Sequence, residues 1–469
     1  MTEVAVKKNL GKRDMILFTV SAILLVDTLA ATAAIGTSSI FWWLFLGLFF
    51  FVPFALVSAE LGCAYPEKGG IYAWVRDAFG GRWASRISWS YWVNVAIWMP
   101  AIFILFAGVA KQLFWPDMGV AGQIGLGIAL TWVAVIANVV TLNVGKWVPN
   151  IGAIFKIVIF LAIIIGAVFY AGENGLANSI TFESIKPNLS DSLQYIPAII
   201  YGMLGFELIS SSSEEMRNPQ RDVPRSILVS GAIILALYTL GTTAILAAIP
   251  AGEIDLVEGL VDTLRLFFAQ LPFGNALVMA LGIAALYTFF SNGVTWAIGG
   301  NRAAAEAAEE GELPKAFAIK SRSRNTPVGA AVLMGAMSTL ILVLYGFLVN
   351  SNEDLFWSLF AFSGVIFLLP YVGMFLAFLK MRRVDGARAR PFRVPGGESF
   401  VRVLTYFCVA ILAGSIFLFI YTPGEGVQWP VLIGSIVTLL LGELAILWAE
   451  KQNCEGKVPE ETSGALAAQ

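Results

Sequence analysis

The sequence predicts an all-α membrane protein of twelve transmembrane helices. Three observations carry that expectation. Hydrophobic residues make up 58% of the 469 and charged ones only 13%, against about 45–50% and about 25% in soluble globular chains. The apolar residues form runs long enough to cross a hydrocarbon core, which takes about 20 residues of helix. Lysine and arginine fall almost wholly into alternate connections between those runs. Mean hydropathy is +0.77. Such a chain is not a soluble enzyme, a secreted disulfide scaffold or a disordered protein. Its net charge of −2 gives no reason to expect nucleic acid as a partner.

The runs follow in order. The first, 14–36, lies behind Lys7, Lys8, Lys12 and Arg13, and no small-residue cleavage site follows a short apolar core. It reads as a retained membrane helix. The second, 39–62, stops before Pro66 and Gly69-Gly70, and the third, 84–114, starts behind Gly80-Gly81-Arg82. Lys146 parts 122–143 from 148–171. The charged stretch from Glu214 to Arg225 parts 193–214 from 225–249; its prolines end one helix and start the next, and its acids can pair with its arginines as a structural latch. A basic loop with Lys315, Lys320, Arg322 and Arg324 separates 272–302 from 326–349. The polar loop 381–399 separates 355–380 from 400–421, and 429–450 is last.

With the N-terminus in the cytoplasm, 26 of the 30 basic residues lie on that side. Lys111, Lys186 and Arg265 lie opposite, and Lys156 falls inside a span. That asymmetry calls for an even number of spans with both termini cytoplasmic, in a plasma membrane of the bacterial inner-membrane kind. There is no histidine, and Cys63, Cys408 and Cys454 are scattered. No metal site, disulfide framework or cofactor is expected. No GxSxG or nucleotide-binding loop points to an enzyme.

Charge at mid-membrane costs at least about 2.5–3.5 kcal/mol and marks a site or a pathway. Asp27 sits mid-span, before the small residues Ala30-Ala31-Thr32-Ala33-Ala34. They permit local unwinding around a functional acid, or equally a packing stripe with one protonated Asp. Lys156 either seeks backbone carbonyls and a carboxylate or snorkels to the inner face. Glu207 ends the glycine-spaced Tyr201-Gly202-Met203-Leu204-Gly205-Phe206-Glu207 and precedes four serines, Ser210 to Ser213. Two glycines weaken a helix and hydroxyls can satisfy freed backbone groups, so a break is favoured over a simple packing face. Interruptions in corresponding places of two halves are how transporters expose backbone to a substrate. Glu60 and Glu443, nearer helix ends, read as interfacial or protonated packing residues. Trp42, Trp43, Trp83, Trp89 and Trp429 fit an interfacial belt. Trp296 shares its helix with Asn292 and Thr295; it either walls a cavity for an organic cation or aliphatic chain, or packs the core.

Four stretches together resemble the amino acid–polyamine–organocation (APC) transporter superfamily. They are Pro66 to Val75 with its Gly69-Gly70-Ile71-Tyr72, Gly205-Phe206-Glu207 through Pro224, Gly299-Gly300-Asn301-Arg302 with Glu312-Leu313-Pro314-Lys315-Ala316-Phe317, and Pro391-Phe392-Arg393-Val394-Pro395-Gly396-Gly397. The stretch after the second span, with Gly81-Arg82-Trp83-Ala84 and the place of Trp296, is most similar to the glutamate–GABA antiporter branch. The resemblance implies a five-plus-five inverted repeat of the leucine-transporter kind. Residues 1–13 would be a cytoplasmic tail, 14–171 and 193–380 the two repeats, 400–450 two peripheral helices, and 451–469 a second tail. The first and sixth spans would be broken around substrate. Asp27, Ala31, Thr32, Tyr201 (an aromatic gate), Gly205 and Trp296 would bind it, Glu207 would sense protons, and Lys156 would stand where sodium-coupled relatives hold sodium. Many relatives cradle a carboxylate on glycines where this chain has Ala30 to Ala34, and Asp27 there suits an amine.

The expected function is secondary active transport of amino acids, by exchange or proton coupling. Spans 1, 2, 6 and 7 would rock against spans 3, 4, 8 and 9. A polyamine or diamine permease is the alternative, since Asp27 and Glu207 suit two ammonium groups; a transporter-like nutrient sensor is a second. The expected partners are a small amino acid or amine and the lipid bilayer. No partner subunit is evident in the sequence.

Overall fold

The computed structural model describes residues 11–66, 70–140, 147–187, 193, 196–216, 218–254, 259–322, 325–346 and 352–455. Within them, the side chains of 27, 30, 31, 211–215, 345, 352–355 and 454–455 fall outside the described set. Two short helices, α1 (Lys12–Ile23) and α2 (Asp27–Ala33), stand in place of one continuous first span. Then come α3 (Ser38–Ala64), α4 (Ile71–Phe79), α5 (Gly81–Phe114), α6 (Val120–Val140) and α7 (Trp147–Asn174). A second interrupted segment follows: α8 (Ile196–Gly202) leads to a 3-10 stretch, Phe206–Glu215. The rest of the chain forms α9 (Pro219–Ala248), α10 (Gly259–Phe268), α11 (Gly274–Glu309), α12 (Val328–Gly346), α13 (Asn352–Val384), α14 (Glu398–Ile420) and α15 (Trp429–Glu455).

Among the described residues, nine of these helices are long and apolar enough to cross a membrane. The protein is a multi-pass membrane protein. The most apolar stretch of α5 is 94% buried, whereas those of α6, α14 and α15 are 28% buried. A helix that is apolar all round belongs either inside other helices or against lipid. Thus α5 is the central post, packed chiefly on α11 and α13, and α6, α14 and α15 turn a broad face outward. Pro53 has no N–H to give Phe49, and α3 accommodates it with a π-turn, Gly47–Phe51.

Two sequence readings are corrected by burial. Trp83 and Trp429 are 55% and 62% exposed, as belt residues are, but Trp43 is 0% exposed and Trp42 and Trp89 are buried. The indoles of Trp89 and Trp43 serve inter-helix packing: Trp89 Nε1 donates to the Thr438 carbonyl on α15, and Trp43 stacks on Tyr238 of α9. Glu60 is neither interfacial nor a lone packing acid. It is 1% exposed and takes Arg382 in a two-pronged pair, Nε to Oε1 at 2.8 Å and Nη2 to Oε2 at 2.6 Å. Arg390 Nε lies 3.1 Å from Oε1, and the Val394 N–H donates to Oε2 at 2.7 Å. The acid on α3 thereby clasps the end of α13 and the loop beyond it.

Further bonds seat that loop. Arg388 Nε donates to the Ala64 carbonyl and its guanidinium covers the Tyr65 ring. The Tyr65 hydroxyl donates to Asp385 at 2.9 Å; burial and the Asp385 carboxylate push it up to about 12, so it stays a neutral donor at physiological pH. The Cys63 thiol, 0% exposed, points to the Phe392 carbonyl. Glu443 does sit at a partly exposed place, paired with Arg86 at 2.5 Å. Glu67, Lys68, Gly69 and Arg217, with the side chains of Glu214 and Glu215, lie outside the described set, and so does the tail beyond 455.

Candidate functional site between two broken helices

An α-helix leaves its last carbonyls without intrahelical partners. α1 ends inside the protein at Ile23, where Leu24 turns to an extended ψ of 109°. Three consecutive carbonyls are exposed there, and each has a side-chain donor. Lys156 Nζ donates to the Ser21 carbonyl at 2.6 Å, joined by Asn292 Nδ2 at 3.3 Å. Trp296 Nε1 donates to the Ala22 carbonyl at 3.1 Å. The Tyr238 hydroxyl donates to the Ile23 carbonyl at 2.7 Å. A cation at a helix C-terminus is also favoured by the helix dipole. Lys156 is 1% exposed, so of its two sequence readings the carbonyl-seeking one is what the structure displays.

The second break is set by Gly205, at φ +132°, a conformation that side chains rarely adopt. A Cβ there would also lie 2.9 Å from Ile23 Cγ1 and 3.3 Å from the Trp296 ring. The two breaks therefore face each other across one glycine, with the α11 tryptophan beside them. Just past the break, Glu207 is 2% exposed. Its Oε1 accepts from Tyr91 on α5 at 2.8 Å and from Tyr371 on α13 at 2.7 Å. Its Oε2 is buried with no hydrogen-bond partner among the described atoms.

Aromatic rings surround these groups. Phe367 lies 5.2 Å from Trp296, 4.9 Å from Tyr201 and 4.9 Å from Tyr371, centroid to centroid. Trp296 in turn meets Tyr91 and Trp98 at 6.2 and 6.3 Å. The Tyr201 hydroxyl shares a 3.0 Å bond with Ser363, which donates to Asn94 Oδ1 at 2.7 Å. The chemistry offered is a half-satisfied carboxylate walled by π-faces, beside helix ends. That combination suits an organic cation. Among the described residues no cluster of three or more His, Cys, Asp or Glu could hold a metal.

The structure brings Tyr201, Gly205, Glu207 and Trp296 into this one region and puts Lys156 behind it. Asp27 and Ala31 lie on α2 directly after the first break, with side chains outside the described set. Thr32 is buried, and its hydroxyl is engaged with the Thr28 carbonyl and Thr242. Asn292 is turned to the unwound end of α1 and Thr295 to the Ser291 carbonyl. Sequence reasoning missed Tyr91, Tyr371 and Tyr238. The available signal was a phenol in mid-span, because a buried Tyr hydroxyl must find a partner in lipid surroundings.

The family model described as amino acid permease matches residues 10–441. The chain is similar to a probable agmatine/putrescine antiporter of Lactococcus lactis subsp. lactis strain IL1403, at 34% identity over 94% of this chain and 95% of that one. An uncharacterized transporter of Legionella pneumophila subsp. pneumophila is 30% identical over 85% of this chain and 86% of its own. A glutamate/gamma-aminobutyrate antiporter of the same Lactococcus strain is 24% identical over 83% of this chain and 79% of its own.

Proposed function

The chain belongs to the amino acid permease family, and from that premise we propose that it exchanges cationic amines, of the agmatine and putrescine class, across the plasma membrane. The observation that carries this reading is Glu207, a buried carboxylate set among aromatic rings, one of whose oxygens has no hydrogen-bond partner among the described atoms. An ammonium or guanidinium supplies what that oxygen lacks, and ring faces stabilise the same charge. The run Ala30 to Ala34, lacking the glycines expected to cradle a carboxylate, points the same way, as does the relative described as a probable agmatine/putrescine antiporter. This reverses the order of the two sequence-based readings. Amino-acid exchange stands second, supported by the similarity to the glutamate/gamma-aminobutyrate antiporters.

The architecture proposed for it has twelve spans: the nine long helices, the pairs at the two breaks, and α12. Residues 14–171 and 193–380 form the inverted repeats, 400–450 flank them, and both termini are cytoplasmic. The first, second, sixth and seventh spans rock against the third, fourth, eighth and ninth. Lys156 fills the place of a metal cation beside the α1 carbonyls, where its fixed charge disfavours sodium.

Proteoliposomes preloaded with putrescine, agmatine, glutamate or γ-aminobutyrate, and empty ones, test the reading with labelled agmatine and glutamate outside. Agmatine should enter only vesicles preloaded with an amine. Uptake of glutamate alone, in exchange for an amino acid, would hand the site to the second reading. Trp296→Leu should raise the apparent KM for amines by about two- to thirty-fold, the worth of one cation–π face of about 0.5–2 kcal/mol. An unchanged KM would remove Trp296 from the substrate wall.

A further inference from the structure

We propose that Tyr238 is a positioning residue that ties the two breaks to each other and to α9, so that they move as one unit during exchange. This rests on the reading of the site as a transporter's. Tyr238 is 0% exposed. Its hydroxyl donates to the Ile23 carbonyl at 2.7 Å and accepts from the Leu25 N–H at 2.7 Å. In an unbroken helix the Leu25 N–H would bond the Ser21 carbonyl; here Lys156 and Asn292 donate to that carbonyl. One phenol oxygen thus serves, as donor and as acceptor, the two backbone groups on either side of the turn.

The ring holding that oxygen is itself fixed. It stacks on Trp43 at 4.4 Å and 14°, and Phe160 meets it edge-on at 5.8 Å. Trp43 Nε1 donates to Thr242, one turn further along α9, and Thr242 shares a 3.1 Å bond with Thr32 of α2. Hence α9 grips the first span at its break and beyond it. The same oxygen adjoins the second break. A Cβ on Gly202, the last residue of α8, would lie 3.6 Å from the Tyr238 hydroxyl and 3.0 Å from Thr28 Cγ2. Glycine at that place lets α8, α2 and α9 meet closely. Glu207 is held by Tyr91 and Tyr371, whereas the Tyr238 hydroxyl is engaged with the backbone at the first break, which assigns it to moving the breaks together.

Tyr238→Phe keeps the ring and its stacking and removes only the hydroxyl. It leaves the Ile23 carbonyl and the Leu25 N–H without their partner. The expected result in proteoliposomes is an exchange rate at saturating agmatine lower by about ten-fold or more, with equilibrium agmatine binding within about three-fold of wild type. Gly202→Ala should give the same split, since a methyl group there crowds Thr28 Cγ2 at 3.0 Å and pushes α8 off α2 beside the hydroxyl. Wild-type turnover in Tyr238→Phe would overturn the proposal. If Tyr238→Phe loses binding and melting temperature together, Gly202→Ala decides: normal turnover in it overturns the coupling, and slow turnover with retained binding upholds it. If the wild type exchanges an amino acid and no amine, the substrate reading fails, and the same ratio of turnover to binding is read with that amino acid.

Discussion

Glu60→Gln should destabilise the protein by about 3–5 kcal/mol, the usual cost of removing one partner from a buried ion pair. The magnitude follows from what the substitution strands. Arg382 and Arg390, whose side chains are 4% and 9% exposed, lose their shared carboxylate. Arg382 keeps Glu398, at 3.5 Å and largely in solvent, the Val394 carbonyl at 3.4 Å and the Phe378 ring face at 5.0 Å, and none of them restores a buried countercharge. Glutamine preserves the shape and can still accept the Val394 N–H, so the loss reports charge and not volume. Thermal melting of the purified protein in detergent measures it. A variant that melts with the wild type would mean that water already reaches the arginines and that the clasp contributes little.

Glu207→Gln should cost about 2–5 kcal/mol of affinity for a cationic amine, about thirty-fold or more. The glutamine carbonyl can accept from Tyr91 and Tyr371 as Oε1 does, so the local fold survives. What disappears is the negative charge and the capacity to exchange a proton. If the carboxylate binds the amine, wild-type affinity must fall on acidification, because protonation cancels the charge that the substrate needs. The variant, fixed in the neutral form, should bind weakly at every pH. Isothermal titration with agmatine across pH 5–8 reads both effects. Wild-type affinity with an unaltered pH profile in Glu207→Gln would remove this residue from both substrate binding and proton coupling.

The nine long spans were legible because twenty apolar residues in a row leave a helix little alternative. The expected run 84–114 became Gly81–Phe114, and 400–421 became Glu398–Ile420. Both breaks were legible too, from a charge and small residues in one and from paired glycines in the other. The pairings were not. Glu60 and Arg382 are 322 positions apart, and periodicity says nothing about which remote charge a buried acid will meet. Trp43 was misread for a related reason. A tryptophan near a helix end looks the same whether it faces headgroups or a neighbouring helix, and here Tyr238 takes its face. The tyrosines that hold Glu207 and the α1 carbonyls come from α5, α9 and α13, and only the packing of those helices brings them together.

The loop that closes over Glu60 also gives the protein a chemical witness to its own state. Cys63 lies one turn beyond Glu60 on α3, wholly shielded, with its thiol against the Phe392 backbone. A thiolate must meet its reagent in water, so a water-borne alkylating agent marks Cys63 only after the loop has lifted. Cys408 is equally shielded, within α14 in the membrane. The rate at which Cys63 itself becomes labelled is therefore a clock for the opening of the clasp, wound into the native sequence without any introduced cysteine.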